Sequence, residues 1–231
     1  MTEPLTIAID GPSGSGKSTV ARAVARRLGI GFLDTGAMYR AVTWSCLDTG
    51  VDLDDEEAVV AATESIPLRM GTDPSAPTVH VGERDVSREI RTSEVSTAVS
   101  RVATKPRVRP VLQRLQREQM ARIALDTGGV VAEGRDITTV VAPDARVRIL
   151  LTASEEARLR RRAVELHGTD DAAAVEATRD QVVRRDRDDS TVSAFTEAAD
   201  GVVTVDTSHL TLDGSIEAVL DVVAEVTSPE D

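Results

Sequence analysis

The residues with the clearest chemical potential form one short run near the start of the chain, Gly11-Pro-Ser-Gly-Ser-Gly-Lys17-Ser18-Thr19. The run fits the pattern G-x-x-x-x-G-K-[ST], in which backbone N–H groups surround phosphate oxygens. An apolar run, Leu5–Asp10, precedes it, and a segment with apolar residues at helical spacing follows it as far as Leu28. This strand–loop–helix context favours a phosphate-binding loop over a glycine-rich turn that matches by chance. It predicts that the chain binds a nucleoside triphosphate.

The pattern gives two side chains in this loop particular roles. Lys17 is predicted to reach the β- and γ-phosphates of ATP, and the Ser18 hydroxyl to bind the Mg²⁺ that accompanies them. The residues predicted to bind ATP are Gly11, Pro12, Ser13, Gly14, Ser15, Gly16, Lys17, Ser18 and Thr19, together with Arg158 further along the chain.

Phosphoryl transfer to a second substrate also needs positive groups on the acceptor side, and arginine is suited to hold phosphate. Six arginines lie at the ends of predicted elements: Arg40, Arg91, Arg109, Arg135, Arg185 and Arg187. Arg40 and Arg135 are favoured, because each follows a predicted strand end, where ligands gather in open α/β sheets. The alternative is a solvated surface arginine in each case, and Gly134-Arg135-Asp136 can also form a surface turn. Glu133 is a candidate to order Mg²⁺ through water.

A basic stretch, Arg158–Arg162, follows a predicted helix start at Ser154, and Gly168 breaks the helix. One interpretation is a solvated helix face. The other is a mobile lid over the triphosphate, with Arg185 and Arg187 at its trailing edge.

A folded scaffold must position these groups, and the pattern of the sequence predicts an α/β fold. Five short apolar strands alternate with helices, which is typical of a parallel sheet with right-handed crossovers. Two excursions interrupt it, at 36–104 and 154–189, and leave a core of 1–35, 105–153 and 190–231. Inside the first excursion, Leu68–Met70 and Thr78–Val81 are predicted to form a hairpin inserted into the main sheet.

Composition excludes several classes of function. A formal charge of −12 in 231 residues, with 2% aromatic residues, argues against a nucleic-acid partner. No stretch is long and apolar enough to span a membrane, and the polar N-terminus is not a signal peptide. The single cysteine, Cys46, allows no internal disulfide and is expected to pack in a helix. We therefore expect a cytoplasmic protein without a membrane partner.

Five motifs together carry a resemblance to a known family. In order they are Ile9-Asp-Gly-Pro-Ser-Gly-Ser-Gly-Lys-Ser18, Leu33-Asp-Thr-Gly-Ala-Met-Tyr-Arg40, Asp85-Val-Ser-Arg-Glu-Ile-Arg91, Glu133-Gly-Arg-Asp136 and Arg185-Asp-Arg-Asp-Asp-Ser190. From about residue 5 to about residue 222 the chain resembles the bacterial cytidylate kinases, which are P-loop nucleoside monophosphate kinases. The resemblance implies Mg²⁺-dependent phosphoryl transfer from ATP to CMP or dCMP. It also implies a five-stranded parallel core, a nucleoside-monophosphate-binding region with a small β insert at 36–104, and a lid at 154–189.

The resemblance further implies roles for the acceptor side. Thr35, Tyr39, Arg40 and Arg135 look like the acceptor-phosphate site, Ser100, Arg109 and Asp136 like the cytosine site, and Arg185 and Asp189 like the ribose contacts. With Lys17, the arginines Arg135, Arg185 and Arg187 are the candidates for the chemical step. One position departs from the family pattern R-D-x-x-D-S-x-R, because Val192 stands where the final arginine is expected. The acceptor nucleotide therefore lacks one charged contact, which affects its affinity, unless a neighbour such as Arg187 supplies the positive charge.

Two alternative functions remain open from the sequence. One is a kinase of the same fold that acts on another small acceptor, such as adenylate, shikimate or dephospho-coenzyme A. The other is a nucleotide-dependent switch or ATPase regulator, which would bind or hydrolyse ATP without transferring its phosphate. The two excursions favour a transferase, and we expect it to be a monomer.

Overall fold

The strand β1 (Leu5–Asp10) is the central strand of the main sheet. The computed structural model describes residues 3–228, and over that range the main sheet has five parallel strands. From edge to edge they are β2 (Gly31–Asp34), β6 (Gly129–Gly134), β1, β7 (Val147–Thr152) and β8 (Val203–Asp206). The five predicted strands and their parallel pairing are therefore confirmed.

Side chains of this sheet alternate between two apolar layers. Ile7 and Ile9 pack with α1 (Lys17–Leu28) and α8 (Leu212–Thr227), whereas Ala8 faces α2 (Thr35–Asp48) and α5 (Val108–Thr127). All six residues of β6 are buried, as expected for a parallel strand covered on both faces. The sheet is thus covered by apolar side chains of helices on both faces.

Register brings two functional segments side by side at that end. Asp10, the last residue of β1, is paired with Gly134, the last residue of β6. The glycine loop follows β1 and Arg135 follows β6, so both emerge from adjacent strands. The buried Asp10 carboxylate reinforces the arrangement by accepting hydrogen bonds from the backbone N–H groups of Ile137 and Thr138 at 3.0 and 2.8 Å. Burial raises the pKa of Asp10, and these bonds oppose the shift.

The predicted hairpin forms, but its insertion into the main sheet is wrong. Strands β3 (Leu68–Met70), β4 (Val79–Val81) and β5 (Arg84–Asp85) make a separate antiparallel sheet. Its three strands pair with one another, and the loop between β3 and β4 reaches the edge of the main sheet. There Phe32 N donates to Thr72 O at 3.1 Å.

Four more α-helices are described: α3 (Glu56–Ser65), α4 (Ser93–Ala103), α6 (Glu155–His167) and α7 (Ala172–Ser190). In the chain, α6 and α7 lie between β7 and β8 of the main sheet. Ser154 caps α6 as predicted, because its side chain accepts from Ala157 N at 3.3 Å. Cys46 is buried within α2, as expected. Within residues 3–228, none of the helices combines the length and apolar character needed to cross a bilayer.

Candidate active site

The loop between β1 and α1 has a backbone that requires glycine. Gly14 has a φ of 77°, and a Cβ there would lie 2.6 Å from Arg158 O. A Cβ at Gly11 would come within 2.2 Å of Leu151 O. Ordinary side chains therefore cannot replace these glycines without moving neighbouring backbone. The loop ends at the N-terminus of α1, where free N–H groups and the helix dipole favour an anion.

Lys17, Ser18 and Glu133 form the charged centre of this loop. Lys17 Nζ donates to Pro12 O at 3.2 Å, and Ser18 Oγ donates to Glu133 Oε1 at 2.6 Å. Burial lowers the pKa of Lys17, and the charge of Glu133 opposes that shift. Burial also raises the pKa of Glu133, with Asp34 adding to the effect and Lys17 opposing it. The centre therefore holds a half-buried cation and a buried carboxylate beside an alcohol oxygen.

Asp186, near the end of α7, contacts the phosphate-binding loop directly. Its Oδ1 accepts from Ser13 N at 2.9 Å and from Arg135 Nη1 at 3.0 Å. Its Oδ2 accepts from Arg158 Nη1, and the same guanidinium donates to Ser13 O at 2.9 Å. A carboxylate from a distant helix thus binds the loop N–H and two arginines together.

Arg135 connects this loop to the neighbouring cleft. Besides Asp186, it contacts Asp189 through Nε at 2.6 Å, and its guanidinium lies 4.4 Å from the ring centroid of buried Phe195. Arg185 lies near the same Asp189 carboxylate at 3.7 Å. Burial lowers the pKa of Arg185, and Arg135 adds to the effect. Two guanidiniums are therefore crowded together beside limited negative charge, an arrangement that favours an added anion.

A cleft of about 480 Å³, including its solvent-open mouth, lies beside these arginines. Seven of the predicted site residues line it: Thr35, Tyr39, Arg109, Arg135, Asp136, Arg185 and Asp189. Thr35 Oγ1 donates to Glu133 O at 2.7 Å, which ties the first turn of α2 to β6. The buried Tyr39 hydroxyl has no hydrogen-bond partner among the described residues. Burial raises the pKa of Tyr39, so its hydroxyl is a neutral donor at physiological pH.

Asp136 is the centre of a hydrogen-bonded group in the lining of the cleft. Its Oδ2 accepts from Arg109 Nη2 at 2.6 Å and from Gln113 Nε2 at 2.9 Å. Arg109 also donates to Ala103 O at 3.1 Å and to Ser193 Oγ at 2.9 Å. The side chains of Arg109 and Asp136 are only 12% and 6% exposed, so this ion pair is well shielded from solvent.

Besides Lys17 in the phosphate-binding loop, three predicted acceptor or catalytic residues lie outside the cleft lining. Arg40 is buried and donates to Ser96 Oγ at 2.8 Å, and burial lowers its pKa with Arg185 adding to the shift. Ser100 is on α4 between the lining residues Val99 and Ala103. Arg187 is 74% exposed and approaches only Asp188, at 3.9 Å, among the ion pairs of residues 3–228. Their assigned roles stay predictions, as does the compensation for Val192 by Arg187.

The structure adds residues that the sequence interpretation missed. Asp186 belongs to the Arg185–Ser190 motif, and its spacing of three from Asp189 places both on one face of α7. Arg161 donates to Ser15 O at 3.2 Å and to Thr207 O at 2.6 Å, which links the loop, α6 and the segment after β8. Gln113 follows Arg109 by four residues on α5, so helical spacing is the signal that could have found it.

Comparison with known proteins gives matches over nearly the whole chain. The family model for cytidylate kinase matches residues 7–225. A curated cytidylate kinase from Cutibacterium acnes is 48% identical over 223 residues, 96% of this chain and 97% of that protein. One from Rhodococcus opacus is 50% identical over 230 residues, 97% of this chain and 96% of that protein. Among solved structures, a crystal structure from Thermus thermophilus has a TM-score of 0.47 at 22% identity, covering 98% of this chain and 100% of that chain.

Proposed function

The chain belongs to the cytidylate kinase family, and on that premise we propose that its site transfers the γ-phosphoryl of ATP to CMP or dCMP. The products would be ADP and CDP or dCDP. The observation that carries the proposal is the position of Arg135. Its guanidinium shares Asp186 with the N–H of Ser13 in the phosphate-binding loop, and it also lines the cleft together with Asp136 and Arg109. Donor and acceptor phosphates would therefore meet at this arginine.

On the donor side, the triphosphate would bind the loop N–H groups from Gly11 to Ser18. Lys17 would neutralise the β- and γ-phosphates, and burial strengthens its charge–charge interaction because nearby water is reduced. Arg158 already touches the loop at Ser13 O, so a small reorientation of its side chain would reach a phosphate oxygen.

On the acceptor side, the cleft is lined by Thr35, Tyr39, Arg135, Arg185 and Asp189, and of these Arg135 shares Asp186 with the donor loop. The base would then extend toward Asp136 and Arg109. Cytosine offers a 4-amino donor and two acceptors, at N3 and O2. An ionised Asp136 accepts from the amino group, while Arg109 donates to the acceptor edge.

During transfer, the bond from the γ-phosphorus to the leaving oxygen of ADP breaks while a bond forms to an oxygen of the acceptor phosphate. Negative charge spreads over the equatorial oxygens in the transition state. Lys17, Arg135 and Arg185 would stabilise that charge, because cations placed where negative charge develops lower the free energy of the transition state.

Mg²⁺ accompanies ATP in such reactions, where it neutralises phosphate charge. Ser18 Oγ would bind the ion directly and Glu133 through water. The fit rests on two oxygen groups 2.6 Å apart and on a carboxylate whose pKa burial raises, because a nearby cation would favour its ionised form. Residues 3–228 contain no cluster of three or more acidic, histidine or cysteine ligands, and Mg²⁺ commonly keeps several waters.

We also infer four properties from the sequence alone. They are the monomeric state, the cytoplasmic location, the absence of a nucleic-acid partner, and the division into core, 36–104 region and 154–189 lid.

The function is tested by measuring ADP formation from ATP with a panel of nucleoside monophosphates. We expect ADP release to depend on CMP or dCMP, with UMP slower and AMP slower still. Shikimate and dephospho-coenzyme A serve as acceptors for the alternative kinases. ADP formation at the same rate with and without CMP would indicate an ATPase or switch and would contradict the proposal.

Asp136→Asn should narrow the preference for CMP over UMP. Arg109 and Gln113 would hold the amide oxygen, which turns the new NH₂ group toward the 4-carbonyl of uracil. In the parent, a carboxylate facing that carbonyl loses its partner, which costs about 1–3 kcal/mol and so about tenfold to a few hundredfold in kcat/KM. Steady-state kinetics with both acceptors measure the ratio. If the Asn variant discriminates CMP from UMP as well as the parent does, Asp136 does not determine the base preference.

Residues 154–189 should become more protected when both nucleotides bind, because water must be excluded from the transferring phosphoryl. Hydrogen exchange is measured on α6 and α7 with CMP plus a non-hydrolysable ATP analogue, and α8 provides the internal control. Identical exchange in free and doubly liganded protein would count against a lid.

A further inference from the structure

Asp136 receives two hydrogen bonds on a single oxygen. Arg109 Nη2 and Gln113 Nε2 both donate to Oδ2, at 2.6 and 2.9 Å. The two donors are four residues apart on α5, so they project from one face of the helix. Among residues 3–228, no hydrogen bond reaches the other oxygen, Oδ1. One side of the carboxylate is therefore occupied and the other is available to a ligand in the cleft.

Gln113 differs from the other residues of this group in its position. Arg109, Asp136 and Ser193 all line the cleft, whereas Gln113 does not and is half-buried behind them. Its amide contacts the cleft only through Asp136. The donor group of Gln113 must face the carboxylate, because an ionised carboxylate accepts hydrogen bonds and cannot donate them.

The environment of Asp136 explains why a second donor matters. Its side chain is 6% exposed, and a second buried carboxylate, Asp10, lies close enough for Asp136 to add to the upward pKa shift that burial imposes on Asp10. Arg109 is shared between Asp136, Ala103 O and Ser193 Oγ. Gln113 makes its hydrogen bond to Asp136 alone among the described residues, so it orients the carboxylate without competing contacts.

We propose that Gln113 is a positioning residue for base discrimination. It fixes the Asp136 carboxylate with Oδ1 free, so the cleft favours acceptor bases that carry an exocyclic amino group over those that carry a carbonyl there. This inference rests on the proposed function and extends it to a residue that does not touch the substrate.

Three substitutions distinguish the effect of the hydrogen-bond donor of Gln113 from the effect of its side-chain shape. Gln113→Met keeps the length but removes the donor, Gln113→Glu keeps the shape but places an acceptor against Asp136, and Gln113→Lys restores a donor. We measure kcat/KM for CMP and for UMP, KM for ATP, and Tm. Gln119→Glu is the matched control, because it makes the same change on α5 at a residue that instead accepts from Arg122, at 2.7 Å.

The Met variant should lower the CMP-to-UMP ratio by about tenfold, mainly through slower use of CMP. The Glu variant should lower the ratio further, and the Lys variant should remain within about threefold of the parent. KM for ATP should stay within about twofold in all of them. Gln119→Glu should leave both acceptor ratios and Tm close to those of the parent.

Equal ratios in the parent and in the Met and Glu variants would overturn the inference while leaving the proposed function intact. Equal losses in the Met and Lys variants would also overturn it, because packing and not hydrogen bonding would then explain the effect. If the parent shows no CMP-dependent ADP formation, the proposed function fails and the inference fails with it.

Discussion

Lys17→Ala is expected to lower the turnover of phosphoryl transfer by about 10²–10³-fold, because the loop loses the ammonium that neutralises the transferring phosphate. The variant loses the Lys17–Pro12 hydrogen bond, but the loop backbone should survive, since its glycines and the bond from Ser13 N to Asp186 remain. The rate of ADP formation at saturating ATP and CMP measures the effect.

The chain offers a matched control for this experiment. Lys105 is its only other lysine, and it lies in the turn between α4 and α5. Lys105→Ala removes the same charge and should keep nearly full turnover. Circular dichroism checks that both variants fold. A Lys17→Ala enzyme that retains more than half of the parent's turnover would refute the assignment of the phosphate-binding loop.

Arg135→Ala should lower kcat by about 10²–10³-fold and change KM for CMP much less. The reason is that charge develops between donor and acceptor phosphates only in the transition state, and Arg135 is the guanidinium that adjoins both the loop and the cleft. Arg135→Lys should recover part of the rate, since it keeps the charge but loses the two-pronged geometry.

Arg114→Ala serves as the control, because that arginine is 59% exposed on α5 and pairs only with Glu118 among the described residues. Its kinetics should match those of the parent. If Arg135→Ala raises KM for CMP and leaves kcat unchanged, Arg135 binds the acceptor and has no particular role in the transition state. Thermal unfolding is needed as well, since the variant leaves Asp186 and Asp189 without one of their cations.

Local pattern was enough to predict most of the fold. Leu5–Asp10 is apolar, ends at a glycine loop and is followed by helical spacing, and each of these signals lies within a few residues of the next. The same holds for the strand that ends at Glu133 and for the cap at Ser154. The separate sheet of β3, β4 and β5 was harder, because the sequence specifies two short strands but not which partner they choose.

Contacts between distant parts of the chain could not be predicted from local sequence pattern. Ser13 and Asp186 are 173 positions apart, and nothing in the spacing of either motif indicates that they touch. Arg109 and Asp136 were placed together by family resemblance, and the structure places them 2.6 Å apart. The sequence shows that Gln113 follows Arg109 by four residues on one predicted helix. Its hydrogen-bond partner, Asp136, lies after β6 and could not be inferred from that spacing.

The carboxylate of Asp186 makes the phosphate-binding loop self-liganded in the structure. A triphosphate that approaches Ser13 N therefore meets a competitor that belongs to the same chain and is present at a high effective concentration. The net affinity for ATP would then be reduced by the free energy with which the Asp186 carboxylate binds the same donors. Displacing this carboxylate would remove one contact from Arg135 and one from Arg158 together, while Arg135 would keep its ion pair with Asp189. Binding of ATP at the donor loop would therefore also change the contacts of Arg135, the arginine that lines the acceptor cleft.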